Sequence, residues 1–187
     1  IIVMVAYKKF KPQLRIEFDY RCPYCHTREP EIGGSKVFHI DHYKPKKEFP
    51  ELISEYSNLI YSCPDCNRYK GSFWPKRIDL LMRREIIYLR PPEQIHNHLD
   101  VRDHTWKAKT RKGAWNIEKL QLNSKINIRR REHRVNVHNT ISRLKKFQDE
   151  LRNHPNYYEQ RVEYETEITK LEQEIVSLIS SISGPLD

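Results

Sequence analysis

Residues 38–71 begin Phe38-His39-Ile40-Asp41-His42-Tyr43-Lys44-Pro45 and close, after a basic stretch, with Ser57-Asn58-Leu59-Ile60-Tyr61-Ser62-Cys63-Pro64-Asp65-Cys66-Asn67-Arg68-Tyr69-Lys70-Gly71. The composition from Val37 to His42 predicts a strand, so Asp41 and His42 leave it on opposite sides. Pro64 suits the first position of a helix and Gly71 the position just past its end, which predicts about two turns over 64–70. On that helix Asn67 and Lys70 share a face. The stretch thus sets a carboxylate beside an imidazole on one element and an amide on the next.

That set of groups has a chemistry. The Asp41 carboxylate and the Asn67 amide oxygen can hold one hard divalent cation such as Mg²⁺, leaving water and phosphate oxygens to fill the other positions. His42 titrates near neutrality and can take the proton from an attacking water, while the cation stabilises a leaving oxygen. An amide in place of a second carboxylate keeps the site less negative, which suits a polyanionic substrate. These are the residue types that metal-assisted phosphodiester hydrolysis needs.

Cys22-Pro-Tyr-Cys25 and Cys63-Pro-Asp-Cys66 account for all 4 cysteines and lie 37 residues apart. Four thiolates so spaced suit a tetrahedral Zn²⁺. Two disulfides are the alternative, and the lack of a secretory signal, pointing to a reducing cytoplasmic setting, weighs against them. A zinc with all four positions taken is structural. It would clamp the Cys22 knuckle to the start of the helix that carries Asn67 and couple folding to metal.

His-Ile-Asp-His-Tyr-Lys-Pro, the Asn58-Leu59 pair and Cys-Asn-Arg-Tyr-Lys-Gly, spread over residues 22–71, resemble the HNH endonucleases with a ββα-metal core. The resemblance implies Asp41 and Asn67 as ligands of a catalytic Mg²⁺ or Mn²⁺, His42 as general base, and Asn58 as the residue fixing the His42 loop. An Asn directly behind a Cys-x-x-Cys is similar to the zinc-stapled branch that includes the recombination endonuclease VII type. The Tyr-Lys-Pro-Lys extension and the run Asn58 to Asn67 resemble the HNH subunits of Septu-type and retron-associated anti-phage systems. That implies DNA, with the double-stranded form favoured, and a protein partner. Nothing in the chain resembles an ATPase, so any ATP dependence would come from a partner subunit.

Charge points the same way. The 187 residues carry 34 Lys and Arg against 25 Asp and Glu, a net of +9, with pI near 9.4 and mean hydropathy −0.84. Residues 153–187 hold 2 basic and 7 acidic residues, so their net is −5 and residues 1–152 carry +14. The basic body suits nucleic acid and the acidic tail does not. Lys44, with Lys46 and Lys47, and Arg68 and Lys70 on the helix are the candidates for phosphate contact; a solvated loop is the plainer account of any one of them. His39 falls on the Asp41 side of the strand, within reach of a metal or phosphate, whereas His26 reads as a surface residue behind the first knuckle.

The expected class is α+β, in three stretches: a zinc-held nuclease core over 1–75, a mixed segment over 76–125, and a helical hairpin over 126–187. Ile1 to Ala6 is too short an apolar run for a membrane span and lacks the flanks of a signal peptide, so it reads as an edge strand or a partner contact. Ile78, Leu81 and Ile86 offer a helical stripe, residues 98–112 a small hairpin, and 116–123 a short helix. Ile126 to Leu151, with four arginines near its start, and Tyr164 to Ile182 then supply two stripes that pack on each other or leave the acidic one for a partner. Two rivals to the nuclease remain: a zinc-clamped nucleic-acid-binding module without catalysis, and a subunit active only inside a complex.

Overall fold

The computed structural model describes residues 6–75, 87–91, 95–153 and 158–182. The apolar run at residues 1–5, the helical stripe at 76–86 and the break at 154–157 lie outside them. Mixed short helices and small sheets make the α+β class observed. One compact unit ends at Ile128 and a second begins at Arg129.

The first unit is built around α1 (Lys11–Glu17), the hairpin of β1 (His39–His42) and β2 (Leu59–Ser62), and α2 (Pro64–Lys70). Helix α1 opens with Pro12 in its first turn, where a missing N–H costs nothing, and buries Leu14 completely. Its Arg15 grips Glu29 with two bonds, Nε to Oε1 at 2.6 Å and Nη2 to Oε2 at 2.8 Å. Tyr61 Oη donates to the same carboxylate at 2.6 Å, so one Glu ties helix, knuckle and β2 together. Strand β2 is buried at every position and carries Leu59, Ile60 and Tyr61 into the core, where the Tyr61 ring stacks on Phe38 at 4.6 Å.

Antiparallel pairing sets His39 opposite Ser62, Ile40 opposite Tyr61, Asp41 opposite Ile60 and His42 opposite Leu59. The expected two turns over 64–70 follow directly. Cys63 caps α2, its Sγ accepting from the Cys66 N–H, Pro64 fills the first turn, and Gly71 at φ +54° leaves the helix.

The middle of the chain packs into the same core as the first 75 residues. Leu89, Ile95, Leu99, Trp106, Leu120 and Leu122 belong to one cluster with Leu14, Tyr24 and Ile60. A one-turn helix α3 (Ile95–His98) leads into β3 (Leu99–Arg102) and β4 (Thr105–Ala108), the hairpin expected within 98–112. Asp103 and His104 both take positive φ, 47° and 60°, the two-residue turn whose twist matches the strands. The short helix expected over 116–123 is instead α4 (Arg111–Lys119). Its start is set by Thr110, whose Oγ1 accepts from the Gly113 N–H, and a capping hydroxyl overrides the apolar spacing that suggested a later start. Gly113 has no substitute, since a Cβ there would lie 2.2 Å from the His98 carbonyl oxygen. Asn116 joins this layer to the chain before it, accepting from Leu89 N at 2.9 Å and donating to Ile87 O at 3.0 Å.

The second unit pairs α5 (Lys125–Asn153) with α6 (Tyr158–Ile182), both longer than the apolar stripes alone indicated. Thr140 meets Glu174, Arg143 meets Glu167 and Phe147 meets Tyr164, a descending register that makes the pair antiparallel. Leu171 is buried, while Val176 and Ile179 of α6 are 65% and 55% exposed. No helix among the described residues is long and apolar enough to cross a membrane.

Candidate metal-assisted cleavage site

Four buried sulfurs form the floor. The Sγ atoms of Cys22, Cys25, Cys63 and Cys66 all lie within 4.8 Å of one another, and Cys25 Sγ is 3.6 Å from Cys63 Sγ. Tetrahedral Zn–S bonds of about 2.3 Å place sulfurs roughly 3.8 Å apart, so the cage has zinc dimensions. Hydrogen bonding with Cys22, then Cys63 and Cys66, pulls the Cys25 thiol down, while the contacts with Cys22 and Cys25 push Cys63 and Cys66 up. Four sulfurs this close cannot all ionise without a cation among them, and a divalent metal removes the conflict. The donor set, its burial and its spacing therefore fit structural zinc.

Above the cage, Asp41, His42 and Asn67 line one cleft of about 580 Å³. Asp41 is 5% exposed and held at both oxygens: Lys70 Nζ donates to Oδ1 at 3.0 Å and Tyr24 Oη to Oδ2 at 2.9 Å. Burial pushes the Asp41 carboxyl above its ordinary value, and the Lys70 ammonium offsets part of that. Burial, with Asp41 beside it, also pushes the Tyr24 hydroxyl well up, so it stays a donor. A carboxylate oxygen accepts more than one bond, which leaves Asp41 capacity for a cation.

The His42 ring is fixed by two neighbours. Its Nε2 lies 2.9 Å from the Ile53 carbonyl oxygen, which can only accept, so Nε2 carries the hydrogen and Nδ1 is the basic nitrogen. Tyr7 packs edge-on against the ring at 4.8 Å. Burial lowers the His42 pKa, partly opposed by the Ile53 carbonyl and reinforced by Lys46 and Lys70. The neutral ring that general-base work requires is thus favoured at neutral pH.

Asn58 pins the loop that leaves His42. Its Oδ1 accepts from Lys44 N at 2.8 Å, and its Nδ2 donates to Lys44 O at 3.1 Å and Leu52 O at 3.3 Å. Leu52 precedes Ile53, so this amide holds the carbonyl next in the chain to the one that orients His42. Asn67 donates from Nδ2 to His39 Nδ1 at 3.0 Å. Among the described residues nothing donates to Asn67 Oδ1, which remains available to a hard cation.

The expected phosphate contacts are differently placed. Lys70 is 1% exposed, and besides Asp41 its Nζ bonds the His42 carbonyl at 2.7 Å, so it serves the site from inside. Lys44 reaches over the Phe49 ring, and Arg68 lies over Tyr69 at the surface. Lys46 and Lys47 line the cleft. Tyr24, Ile53 and the interior role of Lys70 escape sequence reasoning. Tyr24 lay inside the first Cys-x-x-Cys and Lys70 three residues after Asn67, but only tertiary contact shows that both end on Asp41.

Lys70→Met tests that arrangement. Removing one partner of a buried pair costs about 3 kcal/mol, and denaturant unfolding should show a loss of that order at neutral pH. Without Lys70 the Asp41 carboxyl rises further, so it takes up a proton as pH falls and the loss shrinks on the acid side. An unchanged midpoint would remove Lys70 from the account.

Comparison with known proteins finds two likenesses. Residues 22–73 match the HNH endonuclease family. The match runs from the first cysteine pair to just past the end of α2. It is also 31% identical over 103 residues to the Septu protein PtuB of Bacillus thuringiensis, a match covering 55% of this chain and 37% of that protein. The chain therefore matches little more than a third of that relative's length. No solved structure matches. The HNH domain accounts for β1, β2, α2 and the cysteine cage, while α1, the β3–β4 layer and the helical pair lie outside it.

Proposed function

We propose that this protein is a metal-dependent DNA endonuclease that hydrolyses phosphodiester bonds through its HNH domain. The observation that carries the reading is the convergence of Asp41, His42 and Asn67 on one cleft, with the Oδ1 of Asn67 and the Nδ1 of His42 left without a protein partner among the described residues. Asp41 and Asn67 would hold Mg²⁺ or Mn²⁺, a cation that stabilises the leaving oxygen. His42 Nδ1 takes the proton from the attacking water while the Ile53 carbonyl holds the ring. Asn58 holds the neighbouring Leu52 carbonyl and the Lys44 backbone in register, and zinc on the four cysteines would fix α2.

Supercoiled plasmid and the zinc-loaded chain provide the test. Nicked or linear product that requires added Mg²⁺ or Mn²⁺ supports the nuclease. A second reading, a binding module without catalysis, draws on the capture of both Asp41 oxygens by Lys70 and Tyr24. Plasmid retarded on a gel yet left intact with either cation would select it.

The nuclease is proposed to act in the cytoplasm within an anti-phage complex of the Septu type, with an ATPase subunit as its partner. The likeness to a Septu protein supports this, as do the acidic stretch over residues 153–187 and the exposed Val176 and Ile179 of α6. Deleting residues 156–187 should abolish recovery of associated proteins from the native host while leaving the HNH domain folded. If full-length and truncated chains recover the same proteins, α6 is a packing element only.

A further inference from the structure

A second hollow adjoins the cleft. It measures about 370 Å³ and is lined by Tyr7, Lys8, Lys11, Phe38 and His39 together with Ile40 and Asn67. Ile40 and Asn67 line both hollows, so the space beside the proposed cation continues past His39 towards the turn at Tyr7–Phe10 and α1. These N-terminal elements lie ahead of the residues that match the HNH family, and no phosphate role was foreseen for them in the sequence.

The chemistry of the hollow is one-sided. No Asp or Glu lines it, and the nearby Glu29 is already held by Arg15 and Tyr61. Lys8 makes no ion pair with any described residue, and neither do Lys46 and Lys47 across the cleft. Lys46 instead sits 5.6 Å over the Tyr7 ring, whose edge meets His42, so Tyr7 links the two hollows. A small anion would need one focus of charge. Here cations line both of the joined hollows, and among the described residues lining them Asp41 is the only carboxylate, a layout suited to a strand carrying several phosphates.

We infer that the groove bounded by Tyr7, Lys8 and Lys11 is a subsite for the DNA strand being cut, holding the phosphates on one side of the scissile bond while Lys46 and Lys47 hold those on the other. The inference rests on the nuclease reading and adds to it a substrate track supplied from outside the HNH domain. Lys8 and Lys11 position the strand and touch no reacting atom.

The test measures binding of the full, zinc-loaded chain to a short DNA duplex across a salt series, without added Mg²⁺. Lys8→Gln with Lys11→Gln should weaken binding tenfold or more near 0.1 M salt and lower the slope of log affinity against log salt by about two, one for each lost phosphate contact. Lys8→Arg with Lys11→Arg keeps both charges and should bind like the parent. Lys107→Gln with Lys119→Gln, at lysines that line neither hollow, should change affinity far less. With Mg²⁺ present, the Gln pair should raise KM and leave kcat near that of the parent. Parent and Gln pair with the same affinity and salt slope would overturn the subsite while leaving the nuclease reading standing. A Gln pair and an Arg pair equally weakened would overturn it too, because charge would not be the cause. A parent chain that binds no DNA would overturn both.

Discussion

Replacing Cys66 with Ser should cost this protein its fold. The thiolate lost is one of four buried sulfurs that lie within 4.8 Å of one another, and it belongs to the helix that carries Asn67. Structural zinc contributes on the order of 10 kcal/mol, as much as the whole stability of a typical domain, which runs about 5–15 kcal/mol. A hydroxyl is a poor zinc ligand, and the three remaining sulfurs would be left buried in mutual conflict. Elemental analysis should find about one zinc per parent chain and little in the variant. The variant should lose its cooperative thermal transition, and a strong chelator should do the same to the parent. Zinc-free protein that melts cooperatively at the parent's temperature would refute the cage.

Replacing His42 with Ala should cost the reaction and little else. General-base catalysis contributes roughly 10²- to 10⁴-fold, so plasmid cleavage should fall by at least 10²-fold while DNA affinity stays within a factor of two or so. The side chain lost is buried against Tyr7 and the Ile53 carbonyl, and its removal should leave Asp41, Asn67 and the cysteine cage in place. The pH profile gives a second reading of the same residue. Free imidazole titrates near 6.5; burial moves His42 below that, and a cation beside it acts in the same direction. Below its pKa the ring is protonated and cannot accept a proton. The parent's activity should therefore hold as pH drops through 6.5 and fall only at lower pH, and that acid limb should vanish from whatever activity the variant retains. Full activity in the variant would end this mechanism.

Much of the site was legible because its signals are local. Pro64 and Gly71 bracket a helix by their own backbone preferences, and two Cys-x-x-Cys pairs supply four sulfurs whatever the path between them. The hairpin over 98–112 and the two long helices also follow from nearby alternation and spacing. Where reading failed, a non-local or capping contact decided. Helix α4 starts at Arg111 because the Thr110 hydroxyl caps it, and the middle of the chain joins the first core because Asn116 bridges to Ile87 and Leu89.

Sequence alone determined the α+β class, the four-cysteine set and the residue types available for cation, base and phosphate, since these depend on side-chain chemistry and short-range order. Tertiary structure decided which lysine does what. Lys70, indistinguishable in sequence from a surface cation, ends buried on Asp41 and the His42 carbonyl because α2 packs against β1. Lys8 and Lys11, far in sequence from Asp41 and Asn67, come to line the hollow adjoining the cleft because the turn at Tyr7–Phe10 and α1 bring Tyr7 against His42. A charge costs too much to bury unless a partner waits for it, and only the folded chain fixes where the partners are.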